Sequence, residues 1–225
     1  GKEGGLLNAI VGSLYIVIGS ISLGLSFSLP IVLYINLYLP EKSRLAQFTR
    51  LSFDVLFGIP SIVYGAFGFT LMVYLGLRSS LLAGILTVTI LIIPILIRSI
   101  DEVMRRVPKE MKDAALSLGA TRSEMIMPIL RQVAPGIVTA VLLSVGRGIG
   151  DAASVLFTAG YTDSIPTSLS QPVATLPLAI FFQLSSPIAE VQDRAYAAAL
   201  ILTVIVLILS IAARVYSRKF SKNKI

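Results

Sequence analysis

Leu81-Leu82-Ala83-Gly84-Ile85-Leu86-Thr87-Val88-Thr89-Ile90-Leu91-Ile92-Ile93-Pro94-Ile95-Leu96-Ile97 runs without one charged residue and with Pro94 as its only interruption. A helix rising about 1.5 Å per residue needs roughly 20 apolar residues to cross the hydrocarbon of a bilayer. This run, extended to residue 98, is at the short end of that range, and Pro94 is tolerable where neighbouring helices surround it. The flanking sequence repeats the pattern. Apolar stretches of spanning length cover about 8–37, 52–76, 136–159 and 195–216, so five spans are expected in all. The stretch from Val173 to Leu184 is shorter and interrupted by Pro177, which predicts an interfacial or re-entrant piece.

Composition agrees. Of 225 residues, 55% are hydrophobic and 14% charged, and the mean hydropathy is +0.86, too apolar for a soluble domain of this size. The fold class expected is an all-α integral membrane protein, a polytopic bundle forming one domain over residues 1–225. No cysteine and no histidine are present, which removes disulfides, thiolate nucleophiles and the commonest metal ligands and general bases. An intramembrane hydrolase built on Ser61 or Ser144 would lack a proton acceptor. The net charge of +7 is spread between apolar stretches instead of forming a basic face, so nucleic acid is not the expected partner.

The basic residues set the topology. Lys42, Arg44 and Arg50 follow the first span; Arg98, Arg105, Arg106, Lys109, Lys112, Arg122 and Arg131 lie between the third and fourth; Arg214, Arg218, Lys219, Lys222 and Lys224 follow the fifth. Five alternating spans put these segments on one side, leaving Lys2, Arg78 and Arg194 opposite. The positive-inside rule then makes the C-terminus cytoplasmic and the N-terminus of this chain extracytoplasmic. The first apolar run is far too long for a signal-peptide core and lacks a basic front end.

The connection from Asp101 to Pro135 carries ordered-structure signals. Pro108 suits a first helical position, Glu110 and Asp113 lie near the positive end, and Gly119 supplies a left-handed stop. Thr121 with Glu124 forms a capping box that starts a second helix toward Pro135. Met111, Ala115, Leu116 and Leu118 give the first helix an apolar face, which fits either a groove on a partner or the headgroups and its own bundle.

Asp113-Ala114-Ala115-Leu116-Ser117-Leu118-Gly119-Ala120-Thr121-Arg122 resembles the EAA loop of ABC importer permeases: an acidic residue, two alanines, three residues and a glycine. Asp113 replaces the usual Glu, and the family's later Leu-Pro pair has no match. The resemblance implies a type I ABC importer fold, with 101–135 holding the coupling helix. Asp113, Ala114, Ala115 and Gly119 would then meet a separate nucleotide-binding subunit that carries ATP-Mg, and the chain itself would be no enzyme and bind no cofactor. Phe57-Gly58-Ile59-Pro60-Ser61-Ile62-Val63-Tyr64-Gly65 is similar to the Gly-Val-Pro-Ser-Ile-Val-Phe-Gly segment of phosphate importer permeases. Gly146-Arg147-Gly148-Ile149-Gly150-Asp151-Ala152-Ala153 resembles their Ala-Arg-Ala-Ile-Gly-Glu-Thr-Ala segment. With Leu156-Phe157-Thr158-Ala159-Gly160, these favour the PstA type. The implied partners are a PstC-type permease, two ATPase subunits, an extracytoplasmic phosphate-binding protein reaching the Tyr161 to Arg194 segment, and membrane lipid. The EAA loop alone fits permeases for other oxyanions or small solutes equally well. The family normally has six spans, and Gly4-Gly5-Leu6 looks like the start of its second. The expectation is a trimmed chain or a natural five-span variant of an inner-membrane protein.

Three features inside the spans remain. Arg147 and Asp151 at i and i+4 would share one helix face, either as a structural ion pair or as groups lining an anion pathway. Asp54 reads as a first-turn cap of the second span, which Pro60 could break or kink. Gly146, Gly148 and Gly150 lack the strand and the Gly-Lys-Ser/Thr of a nucleotide loop.

Overall fold

A computed structural model describes residues 5–40 and 42–221, with side chains described as far as 216. Lys2, Gly4, Lys222 and Lys224 therefore lie outside the described residues, as do the side chains of Arg218 and Lys219.

The described residues form eight helices and no strand: α1 (Leu7–Leu37), α2 (Arg44–Phe57), α3 (Ser61–Tyr74), α4 (Leu81–Arg105), α5 (Lys109–Ser117), α6 (Ile126–Ile149), α7 (Leu176–Leu184) and α8 (Ala189–Ser221). α1, α4, α6 and α8 are long and apolar enough to cross a membrane, and the α2–α3 pair makes a fifth if counted as one span.

The uncharged run Leu81 to Ile97 lies in the central helix. In α4 every residue from Leu81 to Ile97 except Leu82, Leu86, Ile90 and Ile93 is buried, because α1, α3 and α6 all pack on it. Apolar attraction between helices is weak in lipid, so close approach and interhelical hydrogen bonds matter. α1 supplies both. Its buried Ser20 donates to the carbonyl of Ile85 at 3.0 Å, and its Gly24 lies against Leu96 and Ile92. Gly68 of α3 is so close to Thr87 of α4 that a Cβ there would collide with its side chain. Gly68→Leu is expected to cost about 1–3 kcal/mol through overpacking, read as a melting temperature lowered by several degrees in detergent.

The N-terminus of α4 shows how an irregular segment fits among the spans. Ser80 Oγ caps the helix by accepting from the Ala83 amide at 3.3 Å. The amides of Ser80, Leu81 and Leu82 donate to the carbonyls of Thr158, Gln171 and Leu169 at 2.8–2.9 Å. The non-helical stretch 150–175 thus fills the donors a helix start leaves open. Its own core residues Val155, Ala159 and Val173 are buried in protein, the condition under which irregular backbone survives at membrane depth.

Three expectations are corrected. The stretch 52–76 is not one continuous helix: α2 and α3 are bent by 100° across Gly58-Ile59-Pro60. Pro60 has no amide to donate and disfavours helix in the residue before it, so the chain stops at Phe57 and restarts at Ser61. The hydroxyl of Tyr64 closes the break by donating to the Leu56 carbonyl at 2.8 Å. The fourth span runs over 126–149 instead of 136–159. It begins directly after the Thr121 box and continues through Pro135, and it ends where Gly146, Gly148 and Gly150 lower helix propensity. Asp54 is in the last turn of α2, not the first turn of a span, so it caps nothing.

The short Val173–Leu184 stretch becomes α7, capped by Thr175, whose hydroxyl accepts from the Leu178 amide at 3.3 Å. It packs on α8 and α1.

Candidate functional site

The connection between α4 and α6 is built as its local signals require. Pro108 stands just outside α5 with an extended ψ of 140°, one position earlier than expected. At the other end, Gly119 has φ +86°, a conformation that costs an L-residue about 1–2 kcal/mol. The Ala120 amide donates to the Ala115 carbonyl at 3.1 Å and the Gly119 amide to the Leu116 carbonyl at 3.0 Å. These are the two bonds of a Schellman stop. The turn then enters the capping box: Thr121 N–H donates to Glu124 Oε2 at 2.7 Å, and Glu124 N–H donates to Thr121 Oγ1 at 3.3 Å. The first result is a short helix whose exit angle is set by backbone chemistry.

Those bonds, first the Thr121 amide and then its hydroxyl, hold the Glu124 carboxyl below the ordinary value of 4.5. The sign follows: a depressed carboxylate stabilises the fold above its unfolded pKa, and this support is lost as pH falls through the lowered value. Protection of the Thr121 amide from exchange should therefore be constant through neutral pH and disappear only below the ordinary glutamate range.

α5 presents two faces. Ala115, with Ala120 beyond the turn, packs on the main core, while Leu118 is 90% exposed and Met111 and Leu116 are exposed as well. Asp113 and Ala114 are exposed on the same short helix. The bundle and docking readings of the apolar face are therefore divided between residues.

Polar tethers join this segment to the end of α1. Arg122 Nη1 donates to the Tyr38 carbonyl at 2.6 Å, Tyr38 Oη and Ser123 Oγ are 2.9 Å apart, and Lys112 Nζ donates to the Asn36 carbonyl at 3.4 Å. Cations at a helix C-terminus meet its open carbonyls and the negative end of its dipole.

The second cluster is at the far end of α6. Arg147 lies in the last turn of that helix and is exposed on this chain. Its guanidinium carbon is 5.9 Å from the Phe57 ring centroid, and that of Arg98 is 4.8 Å from the same ring. Arg98 Nη1 is 3.5 Å from Asp54 Oδ1, both half-exposed. The expected i, i+4 pairing of Arg147 with Asp151 is not formed, because α6 ends at Ile149 and the helical register ends with it. Asp151 Oδ1 instead accepts from the Ala153 amide at 3.1 Å, the short-range turn that Asp favours. Its Oδ2 is buried without a hydrogen-bond partner.

Sequence reasoning missed a third cluster. Asp101 is 7% exposed and accepts from Arg50 Nε at 2.9 Å and Arg50 Nη2 at 3.1 Å. It also accepts from Asn36 Nδ2 at 2.7 Å, which joins α1, α2 and α4. Asp101 lies four residues after Ile97 and three before Met104, both buried. This helical spacing was the available signal.

A bundle of apolar helices with a short Schellman-stopped helix between two of its spans defines an integral membrane protein. The chain belongs to the family of binding-protein-dependent transport system inner membrane components, whose pattern matches residues 28–222, and it is a multi-pass inner-membrane protein. It is 38% identical over 225 residues to the phosphate transport system permease protein PstA of Yersinia pestis, covering 98% of this chain and 74% of that one. It is 36% identical over 219 residues to the PstA protein of Haemophilus influenzae, covering 96% and 76%. Among solved structures, an inward-facing MetNI methionine ABC transporter chain superposes with a TM-score of 0.73 at 17% identity, over 96% of this chain and 95% of that one. At that identity the likeness concerns the fold.

Proposed function

We propose that this chain is one permease subunit of an ATP-driven importer of inorganic phosphate, forming the membrane pathway with a second, PstC-type permease. The observation that carries the reading is the α5 turn: an exposed apolar helix end, fixed by Gly119 and the Thr121–Glu124 box and tied to the span α1. Such an element suits a groove on a separate ATPase subunit, and a similar permease would present a second one, so two ATPase subunits dock beneath. They carry ATP-Mg and the hydrolysis, while this chain performs no bond chemistry. Asp113, Ala114, Ala115 and Gly119 build the docking element, Ala115 by seating it on the bundle. Phosphate as cargo is supported by the PstA relatives and by the pairing of Arg147 with Arg98 around Phe57, which offers positive potential to an oxyanion.

The whole chain acts as a single transmembrane domain. The basic residues of the α4–α6 connection support a cytoplasmic position for it, with the C-terminus beside it and the N-terminus of this chain opposite. The outer mouth, where the 161–194 segment lies, receives phosphate from an extracytoplasmic binding protein. Closure of the ATPase pair draws the coupling helices together and turns the pathway outward.

The test is ATP hydrolysis and labelled phosphate uptake in proteoliposomes holding this chain with a PstC-type permease, the ATPase and the binding protein. Gly119→Asp, which strains the turn, should abolish uptake while the permease pair still assembles. Uptake driven only by a binding protein for another solute would remove the phosphate assignment and keep the permease.

A further inference from the structure

We propose that Asn36, Arg50 and Asp101 form a clasp that carries movement of the coupling segment into α2, and through α2 to Phe57 beside Arg147. The inference rests on the coupling reading of α5, and it concerns residues which that reading leaves without a role.

The attachment of α2 is the starting point. Among its residues only Ala46 is buried, and its apolar side chains Phe48, Leu51 and Val55 are all exposed. Ala46 and the half-buried Phe53 seat this helix on the bundle, and the bidentate Arg50–Asp101 pair is its polar anchor to α4. Arginine suits such a place because its planar fork meets both carboxylate oxygens at once. Here the fork spans Nε to Oδ2 and Nη2 to Oδ1, while the same Nη2 reaches Asn36 Oδ1 at 3.4 Å. Asn36 Nδ2 completes the ring on Asp101 Oδ1 and also bonds the Val32 carbonyl of its own helix.

Asn36 is bonded on its other side to the coupling segment. Its carbonyl takes Lys112 Nζ of α5, and two residues on, Tyr38 takes Arg122 through its carbonyl and meets Ser123 through its hydroxyl. The last turn of α1 is therefore a node, with α5 and its turn on one side and the Arg50–Asp101 pair on the other. From Arg50, α2 runs two turns to Phe57, the ring flanked by Arg98 and Arg147, before the 100° break. An unbroken series of polar bonds and one rigid helix links the docking helix to the arginine of the pathway. Asn36, Arg50 and Asp101 are positioning residues: they touch no cargo.

A buried pair that loses one partner leaves an uncompensated charge, whereas replacing both with apolar residues is often neutral for stability. The variants are therefore Arg50→Lys, which keeps the charge and loses the fork, and the double variant Arg50→Met with Asp101→Leu. Each is assembled with the partner permease, ATPase and binding protein, and phosphate taken up is measured per ATP hydrolysed. The expected result is ATP hydrolysis within about twofold of wild type and uptake lower by about tenfold or more, so that the ratio falls. A ratio equal to that of wild type in both variants, whether or not the two rates fall together, overturns the clasp.

A second readout does not depend on transport. The chain has no cysteine, so Phe48→Cys on α2 and Glu110→Cys on α5 take spin labels without background. In wild type the inter-label distance should be narrow and the same before and after ATP trapping. With Arg50→Lys it should broaden when ATP is trapped, and an unchanged distribution overturns the proposal. Wild type that recruits no ATPase would instead remove the coupling reading itself, independently of what either variant does.

Discussion

Leu118→Asp is expected to abolish phosphate uptake by preventing the ATPase from docking, while the permease itself folds and inserts as wild type does. Leu118 is 90% exposed and follows the last helical residue of α5, so removing it leaves no cavity in this chain. Its burial on a partner would contribute about 2 kcal/mol, and a carboxylate forced into the same groove would add a desolvation cost of several kcal/mol. The two together weaken association by several orders of magnitude. Pull-down of the ATPase with the purified permease pair, beside uptake in proteoliposomes, checks this. Retained association with lost uptake would move the docking surface elsewhere on α5. The comparison variant is Ala115→Asp, which faces the core of its own chain and should lower the melting temperature instead.

The difference between those two residues is one that periodicity did not resolve. Met111, Ala115, Leu116 and Leu118 read as one apolar face, and only the packing separates Ala115 from the rest. The turn itself was legible because its determinants are local: a left-handed glycine and a Thr-x-x-Glu box act within a few residues of where they are written. The four unbroken spans α1, α4, α6 and α8 were legible for the same reason, since length and hydropathy are properties of a single stretch.

Their ends were not legible. The apolar run after Pro135 continues to Ala159 without a charge other than Arg147 and Asp151, and hydropathy alone does not say that the helix stops at Ile149. What stabilises the irregular backbone beyond it is distant: the amides of Ser80, Leu81 and Leu82 take its carbonyls, and Gly65 of α3 admits the Ala153 carbonyl where a Cβ would lie only 2.5 Å away. Similarly, Pro60 signalled a break, but hydropathy runs through it and concealed a turn of 100°. Arg50 and Asp101 were read as connecting-segment charges because α2 begins at Arg44, two turns before its apolar run, and α4 outlasts its own by two turns. The phosphate-type stretches around Pro60 and Arg147 lie at these two breaks, which bring α2, α3 and the end of α6 together around Phe57.

That geometry makes the roles of Arg147 and Asp151 separable. Had they formed an ion pair on one helix face, neutralising either would have stranded the other, and the two variants would have failed alike. Asp151 instead bonds its own loop through Oδ1 and leaves Oδ2 without a partner. Asp151→Asn keeps the acceptor for the Ala153 amide and changes only the oxygen that has no hydrogen-bond partner, so it should retain most of the uptake. Arg147→Ala removes a cation that is exposed on this chain and set over Phe57 at 5.9 Å. With no ion pair to break, the complex should assemble normally while uptake falls by about a hundredfold, the loss of roughly 3 kcal/mol of anion stabilisation in a poorly solvated pathway. Arg147→Lys should fall between, since a lysine keeps the charge but not the planar fork. Uptake measured over a range of phosphate concentrations checks the order Asp151→Asn above Arg147→Lys above Arg147→Ala. Equal loss in Asp151→Asn and Arg147→Ala would show that the pair forms in another state of the transport cycle, and that Arg147 acts by holding helices together instead of by attracting the anion.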